Sequence, residues 1–347
     1  MTKNKFLMQK SNLLFLILSL LWLSACGVAT PSASTPLPVV EERPVTMLEL
    51  AEPLNLAKAE LSGLTWAGDW LIILPQYPDR FDQHIFRLHK DTILAYLDNA
   101  NPAPLQPETV PFDSAGLQTS IRGFEGFESI TTTGQTAYLT IEAQDAAGMQ
   151  GYLVRAAWNA DFSAITLDAG SLIEIKPQTN LDNYSDESIL VFGQRIVTFY
   201  EANGANVNPQ PQAHLFNLQL QADGTIPLPN LEYRVTDAEQ PDENGHFWVI
   251  NYHYPGDTGK LNPAEDALAA QYGEGASHAQ SEVVERLVAL QFSENGIVLA
   301  GQPPIQFALS ADGEARNWEG LAYLDGRGFL LVTDQHPQTL LGFVAYP

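Results

Sequence analysis

Self-similarity limits the fold of this chain more than any other feature. Five segments share one pattern: a polar residue, a small or polar residue, an apolar residue, then a turn and a strongly apolar strand. They are SGLTWAGDWLIILPQ (62–76), EGFESITTTGQTAYLTIE (125–142), ESILVFGQRIVTFYE (187–201), TDAEQPDENGHFWVIN (236–251) and EGLAYLDGRGFLLVTD (319–334). AGD, TTGQ, FGQ, DENG and LDGRG are hairpin signals, since glycine or asparagine tolerates the positive φ such turns need. WLIIL, RIVTFY and GFLLV are apolar on both faces, as strands buried from both sides are. Short strands such as IFRLH, TILAYL, GYLVRAAW, SLIEI, AHLFNLQL and RLVALQF fall between the pairs. Each unit then holds about four strands, the blade of a β-propeller.

The expected fold is therefore all-β, a five-bladed propeller. The last unit stops at LLGFVAYP (340–347), one strand short, and VTMLELA (45–51) supplies a strand to close the ring and remove an open edge. Six blades would follow if 85–118 held another unit, and two β-sandwiches are the competing architecture. The widest interval between units is explained by LNPAEDALAAQYG (261–273). Asn262 as cap, Pro263 in the first turn, Glu265 at capping-box spacing and Gly273 at the end predict a short helical insertion over 262–273.

Ahead of the repeats, Lys3, Lys5 and Lys10 precede the apolar run LLFLILSLLWL (13–23). That run has secretory length and is shorter than the roughly 20 residues that span a bilayer. It ends in Leu23-Ser24-Ala25-Cys26, which resembles the lipobox of bacterial lipoproteins. The resemblance implies cleavage of 1–26, a lipid on Cys26 as the membrane contact, and an extracytoplasmic place in the cell envelope. Cys26 is the only cysteine, so no intrachain disulfide forms. Residues 27–44, rich in Pro, Ser and Thr, read as a tether, and 45–347 as the propeller domain. A net charge of −24 repels nucleic acid and anionic lipid while tolerating cations and carbohydrate. A monomer is expected, with a small-molecule, glycan or protein ligand left open.

In a propeller the innermost strands surround a central channel, so equivalent positions converge. The first residues of the units are Ser62, Glu125, Glu187, Thr236 and Glu319, and the ends of the second strands are Gln76, Glu142, Glu201, Asn251 and Asp334. Three carboxylates and two hydroxyls facing one another call for a counter-charge, and all-oxygen ligation suits Ca²⁺. The second set reads as a wider collar at the channel mouth. Arg122, Arg234 and Arg316 stand two or three residues before ring positions, where they could bind an anion or pair with acids. GHFWVINYHYPGD (245–257) places His246 and His253 among aromatics, as a packing region or a sugar-stacking platform with a general acid/base. No nucleophile elbow, phosphate loop or dinucleotide fingerprint occurs.

The order Ser, Glu, Glu, hydroxyl, Glu resembles the calcium-activated nucleotidases (apyrases), five-bladed propellers with Ca²⁺ in the tunnel. LSGLTW, GFEGFES and NWEGLAYLDGRGFLLVTD resemble the phytase-like ("esterase-like activity of phytase") propeller domains of bacterial envelopes. The resemblance implies calcium on Ser62, Glu125, Glu187, Thr236 and Glu319. It implies either an envelope-anchored binding or scaffold module, whose loops at 252–285 make the contacts, or a Ca²⁺-dependent phosphoester hydrolase. Gln76 replaces an acid of the nucleotidases, and basic residues are sparse, which favours the module.

Overall fold

A computed structural model describes residues 38–347. The signal segment, Cys26 and most of the expected tether lie outside the described residues. The described chain is a ring of five blades, the first two joined through their outer strands into one eight-stranded sheet and the fourth enlarged to six strands. Blade 1 comprises Leu61–Ala67, Trp70–Pro75, His84–His89 and Glu108–Asp113. Blade 2 comprises Phe124–Thr133, Thr136–Asp145, Gly148–Trp158 and Ile165–Ile175. Blade 3 comprises Asp186–Phe192, Arg195–Tyr200, Gln212–Asn217 and Ala222–Pro227. Blade 4 comprises Arg234–Ala238, His246–His253, Val284–Ser293 and Ile305–Phe307, and blade 5 Trp318–Leu324, Gly328–Thr333 and Leu341–Ala345. The fourth strand of blade 5 is Thr46–Leu48, antiparallel to Leu341–Phe343, so the ring closes where the sequence predicted.

The five inner strands touch in order and the last touches the first. Apolar residues fill the seams: Leu64 and Leu71 pack with Leu330 and Val332 between blades 1 and 5, and Phe127 and Ile130 with Ile72 and Leu74 between blades 1 and 2. Small residues allow the inner strands to approach. A Cβ on Gly320 would lie 2.5 Å from Val332 and 3.1 Å from the backbone of Gly63 in the next blade. Any larger residue would force the seam open.

Several local expectations are corrected. TILAYL (92–97) is not a strand but part of the helix Lys90–Leu97, where the His89 ring accepts from the Asp91 amide at the N-cap. The strand completing blade 1 is Glu108–Asp113, so 85–118 holds no sixth blade. The insertion in blade 4 is two short helices, Thr258–Leu261 and Ala267–Tyr272. Asn262 ends the first in a left-handed conformation, and Asp266 caps the second by accepting from Leu268 and Ala269. Asp266 wins over Asn262 as the cap because it is already held by Arg286, whose Nη1 donates to its other oxygen at 2.7 Å. Gly273 does follow the helix, at φ 97°.

Residues 38–44 belong to the folded ring rather than to a tether. Glu42–Arg43 adds to blade 4 beside Gln306–Phe307. The Glu42 carboxylate accepts from the amides of Ser277 and His278, the Ser277 hydroxyl and the His278 ring. A carboxylate with that many donors fixes the segment it sits on.

Candidate functional site

Each inner strand carries a β-bulge at nearly the same height. The pairing with the second strand slips at Ser62, Glu128, Glu187, Thr236–Asp237 and Glu319. Bulges re-aim one side chain out of the sheet alternation, and here they turn it toward the axis. Four of the five ring positions are those expected. In blade 2 the position is Glu128 rather than Glu125, because the doubled Glu-Gly-Phe-Glu offers two candidates three residues apart. Phe-Glu-Ser-Ile, matching Leu-Ser-Gly-Leu and Trp-Glu-Gly-Leu, was the signal that distinguished them. Glu125 stands higher, in the wall of the mouth beside a second slip of the same strand.

The two ring hydroxyls are engaged in seams. Ser62 Oγ donates to the Phe127 carbonyl at 2.6 Å, and Thr236 Oγ1 donates to the Trp318 carbonyl at 2.6 Å. One residue deeper, Asp237 accepts from Ser129 Oγ at 3.0 Å and from the Leu321 amide at 2.7 Å. It thereby bridges blades 2, 4 and 5 across the axis beneath the ring.

Above that bridge opens a cavity of about 1160 Å³. Its centre is Arg234. Nε of Arg234 donates to Glu201, Nη1 donates to Asn317 Oδ1 at 3.1 Å, and Nη2 lies 3.7 Å from Glu187 and 3.6 Å from Glu319. Glu128 accepts from Gln76 Nε2 at 3.0 Å and Glu319 from Asn317 Nδ2 at 2.5 Å. Glu142 and Glu125 each keep one buried oxygen without a partner.

Burial raises the carboxyls here, and crowding among them raises most of them further. Glu142 is pushed up to about 8 by burial and then by the charge of Glu187. Glu187 is also raised by burial, but Arg234 opposes the shift and it stops at about 7. Glu128 and Glu319 are held well above the carboxylate range by burial and neighbouring acids, and burial raises Glu125 and Asp334. Burial disfavours the charge of Arg234, yet Glu187 and Glu319 more than offset it and hold the proton.

The remaining expected residues divide clearly. Gln76, Glu125, Glu142, Glu187, Glu319, Asp334 and Arg234 line the cavity. Glu201 and Asn251 are fully buried behind it, and Asn251 donates to the Glu232 and Arg234 carbonyls. Arg122 is exposed and pairs with Asp145, while Arg316 is buried against Glu285, so neither serves the mouth. His246 lies at the far end of its strand beside Asp242. His253 turns into the interior of blade 4. Tyr77, Tyr184, Tyr252 and Tyr254 wall the cavity, a contribution sequence spacing did not reveal.

The five expected calcium ligands are not brought together as one set: Glu125 is outside the ring, and Arg234 carries a positive charge beside Glu187 and Glu319. Among the described residues no three His, Cys, Asp or Glu side chains are grouped as a metal ion requires.

No protein-family model matches the chain, and no curated protein does. Solved structures do. A putative glycoside hydrolase from Parabacteroides distasonis is 10% identical with a TM-score of 0.46, over 91% of this chain and 95% of its own. A GH43 endo-arabinanase from Bacillus licheniformis is 8% identical with a TM-score of 0.47, over 86% and 97%. A GH32 β-fructofuranosidase from Bombyx mori is 10% identical with a TM-score of 0.45, over 87% and 61%. These findings correct the kinship expected from short motifs: these three structures carry the names of glycoside hydrolases, not of phytase-like or nucleotidase propellers. The calcium scaffold and the calcium-dependent phosphoester hydrolase inferred from that kinship are set aside with it. At such low identities and TM-scores the likeness carries nothing about chemistry, which rests on the residues of the mouth.

Proposed function

We propose that this propeller is a glycoside hydrolase working through the Glu142–Glu187 pair at the channel mouth. The observation that supports it is one pair of neighbouring buried carboxyls with unequal environments, opening on a large polar cavity. Burial and the neighbouring acids hold the proton on Glu142, which has one oxygen buried without a partner, while Arg234 opposes the same shift at Glu187. Environments that push two carboxyls apart assign an acid and a base.

Glu142 donates its proton to the glycosidic oxygen as the C–O bond breaks. Ionised Glu187 stabilises the positive charge developing on the sugar ring and takes a proton from the incoming water, whose oxygen completes the product. Arg234 favours the ionised form of Glu187 over that of Glu142. Glu125, Glu128, Glu142, Glu187, Glu319 and Asp334 line the cavity with Arg234, and carboxyls that can donate as well as accept suit a neutral, hydroxyl-rich chain. The tyrosines supply faces for sugar rings.

The test is release of reducing ends from a panel of pentose and hexose glycans by the intact protein. Glu142→Gln and Glu187→Gln should each lower the rate about 10²–10⁴-fold, the usual contribution of a positioned acid or base. No turnover on any glycan, or full turnover in Glu142→Gln, would overturn the assignment.

A further inference from the structure

A second cavity, of about 260 Å³, lies inside blade 4 behind Val283, which borders both spaces. It is walled by the helical insertion, the second and third strands of the blade, and Gln306 on the fourth. The funnel chemistry uses none of its polar groups.

Three of those groups are buried without a partner: Arg286 Nη2, Gln306 Oε1 and His253 Nδ1. Their residues are 2, 2 and 3% exposed. Hydrogen bonds fix the rest of the Arg286 and His253 side chains. Arg286 donates from Nε to Asn251 Oδ1 at 2.8 Å and from Nη1 to Asp266 at 2.7 Å, which aims Nη2. His253 Nε2 lies 3.0 Å from Thr258 Oγ1, and that hydroxyl donates its own proton to the Pro255 carbonyl at 2.9 Å. The proton on the ring is therefore on Nε2, and Nδ1 is left as a bare acceptor. Buried polar groups without partners are costly, and three in one cavity define a set of contacts to be completed.

We infer that this cavity is a binding site for a small polyhydroxylated molecule of about monosaccharide size, held by Arg286, Gln306 and His253. Donor and acceptor counting excludes the other classes. The three buried atoms are two acceptors, Gln306 Oε1 and His253 Nδ1, and one donor group, Arg286 Nη2, so a ligand that completes them must both donate and accept. A carboxylate or phosphate cannot donate to Gln306 and His253, and Asp266, Glu274 and Glu282 in the lining repel it. An ammonium group satisfies both acceptors but leaves Arg286 Nη2 facing a like charge. Vicinal hydroxyls, each donor and acceptor, satisfy all three. Burial lowers the proton affinity of His253, which preserves the neutral acceptor at neutral pH.

Equilibrium binding of D-glucose, D-xylose and L-arabinose to the intact protein tests this, with acetate and methylamine as controls of other charge. One of the sugars should bind, and Gln306→Leu should weaken it roughly tenfold, the value of one hydrogen bond in a buried site. Arg122→Ala, exposed and outside both cavities, should leave that affinity unchanged, and the comparison with Gln306→Leu reads this cavity whether or not the channel mouth hydrolyses glycans. A crystal structure with the sugar at saturation should place hydroxyls on Arg286 Nη2, Gln306 Oε1 and His253 Nδ1. Ordered water alone at those atoms, tighter binding of acetate or methylamine, or sugar binding indifferent to Gln306→Leu would overturn it.

Discussion

Glu285 and Glu142 are both buried acids on strands, and they do opposite things. Glu285 is fully enclosed between blades 4 and 5. It accepts from the Arg316 amide and Nε at 2.9 Å each and from Trp318 Nε1 at 2.8 Å. Every strong donor nearby is aimed at it. Glu142 is nearly as buried, 4% exposed, but an oxygen has no partner and the charge that acts on it most strongly is that of another carboxyl, Glu187. Burial alone therefore does not separate structure from function in this ring. A satisfied acid fastens two blades together, and an unsatisfied one at a cavity mouth holds its proton above the ordinary carboxylate range.

Breaking the satisfied member should have the larger effect. Glu285→Ala leaves Arg316 charged and buried, and should destabilise the protein by about 3–5 kcal/mol in a denaturant melt, the cost of orphaning one member of a buried pair. A loss under 1 kcal/mol would mean the pair is dispensable to the seam. Glu142→Gln should act in the other direction. Its folded value, about 8, lies above the ordinary 4.5. Between those values the folded chain holds a proton that the unfolded chain has released, so stability falls as pH climbs from 4.5 to about 8. The glutamine variant should be the more stable protein at pH 8, by on the order of a few kcal/mol, with the gap closing below pH 4.5. Equal pH dependence in both proteins would remove Glu142 as the titrating group.

The smallest effect concerns calcium. With Arg234 at the centre of the acids, millimolar Ca²⁺ against chelator should move the melting temperature by less than about 1 °C. An ion bound at 100 times its dissociation constant would give several degrees. A clear calcium-selective rise would instead restore an ion to the ring.

What was legible in the sequence was whatever depends on neighbours along the chain. Apolar alternation, turn residues and their recurrence determined the five blades, and the one-strand deficit at 340–347 foretold the closing strand at Thr46–Leu48. Recurrence also brought Glu187 and Glu319 to the axis, because equivalent positions in a closed ring must converge. The structure alone decided the rest. Which glutamate of blade 2 meets the axis depends on where a bulge falls, and a bulge is a matter of pairing between strands, so Glu128 and Glu125 could not be told apart by spacing. Ser62 and Thr236 share the ring position with the acids, but the carbonyls that take their hydroxyl protons come from the adjacent blade. Arg234, Arg122 and Arg316 have similar settings in sequence, and only packing sends one to the funnel centre, one to solvent and one into a seam. Local sequence fixes strands because their hydrogen bonds and apolar faces are periodic. The partners of a buried charge are set by contacts between blades dozens of residues apart, which no period records.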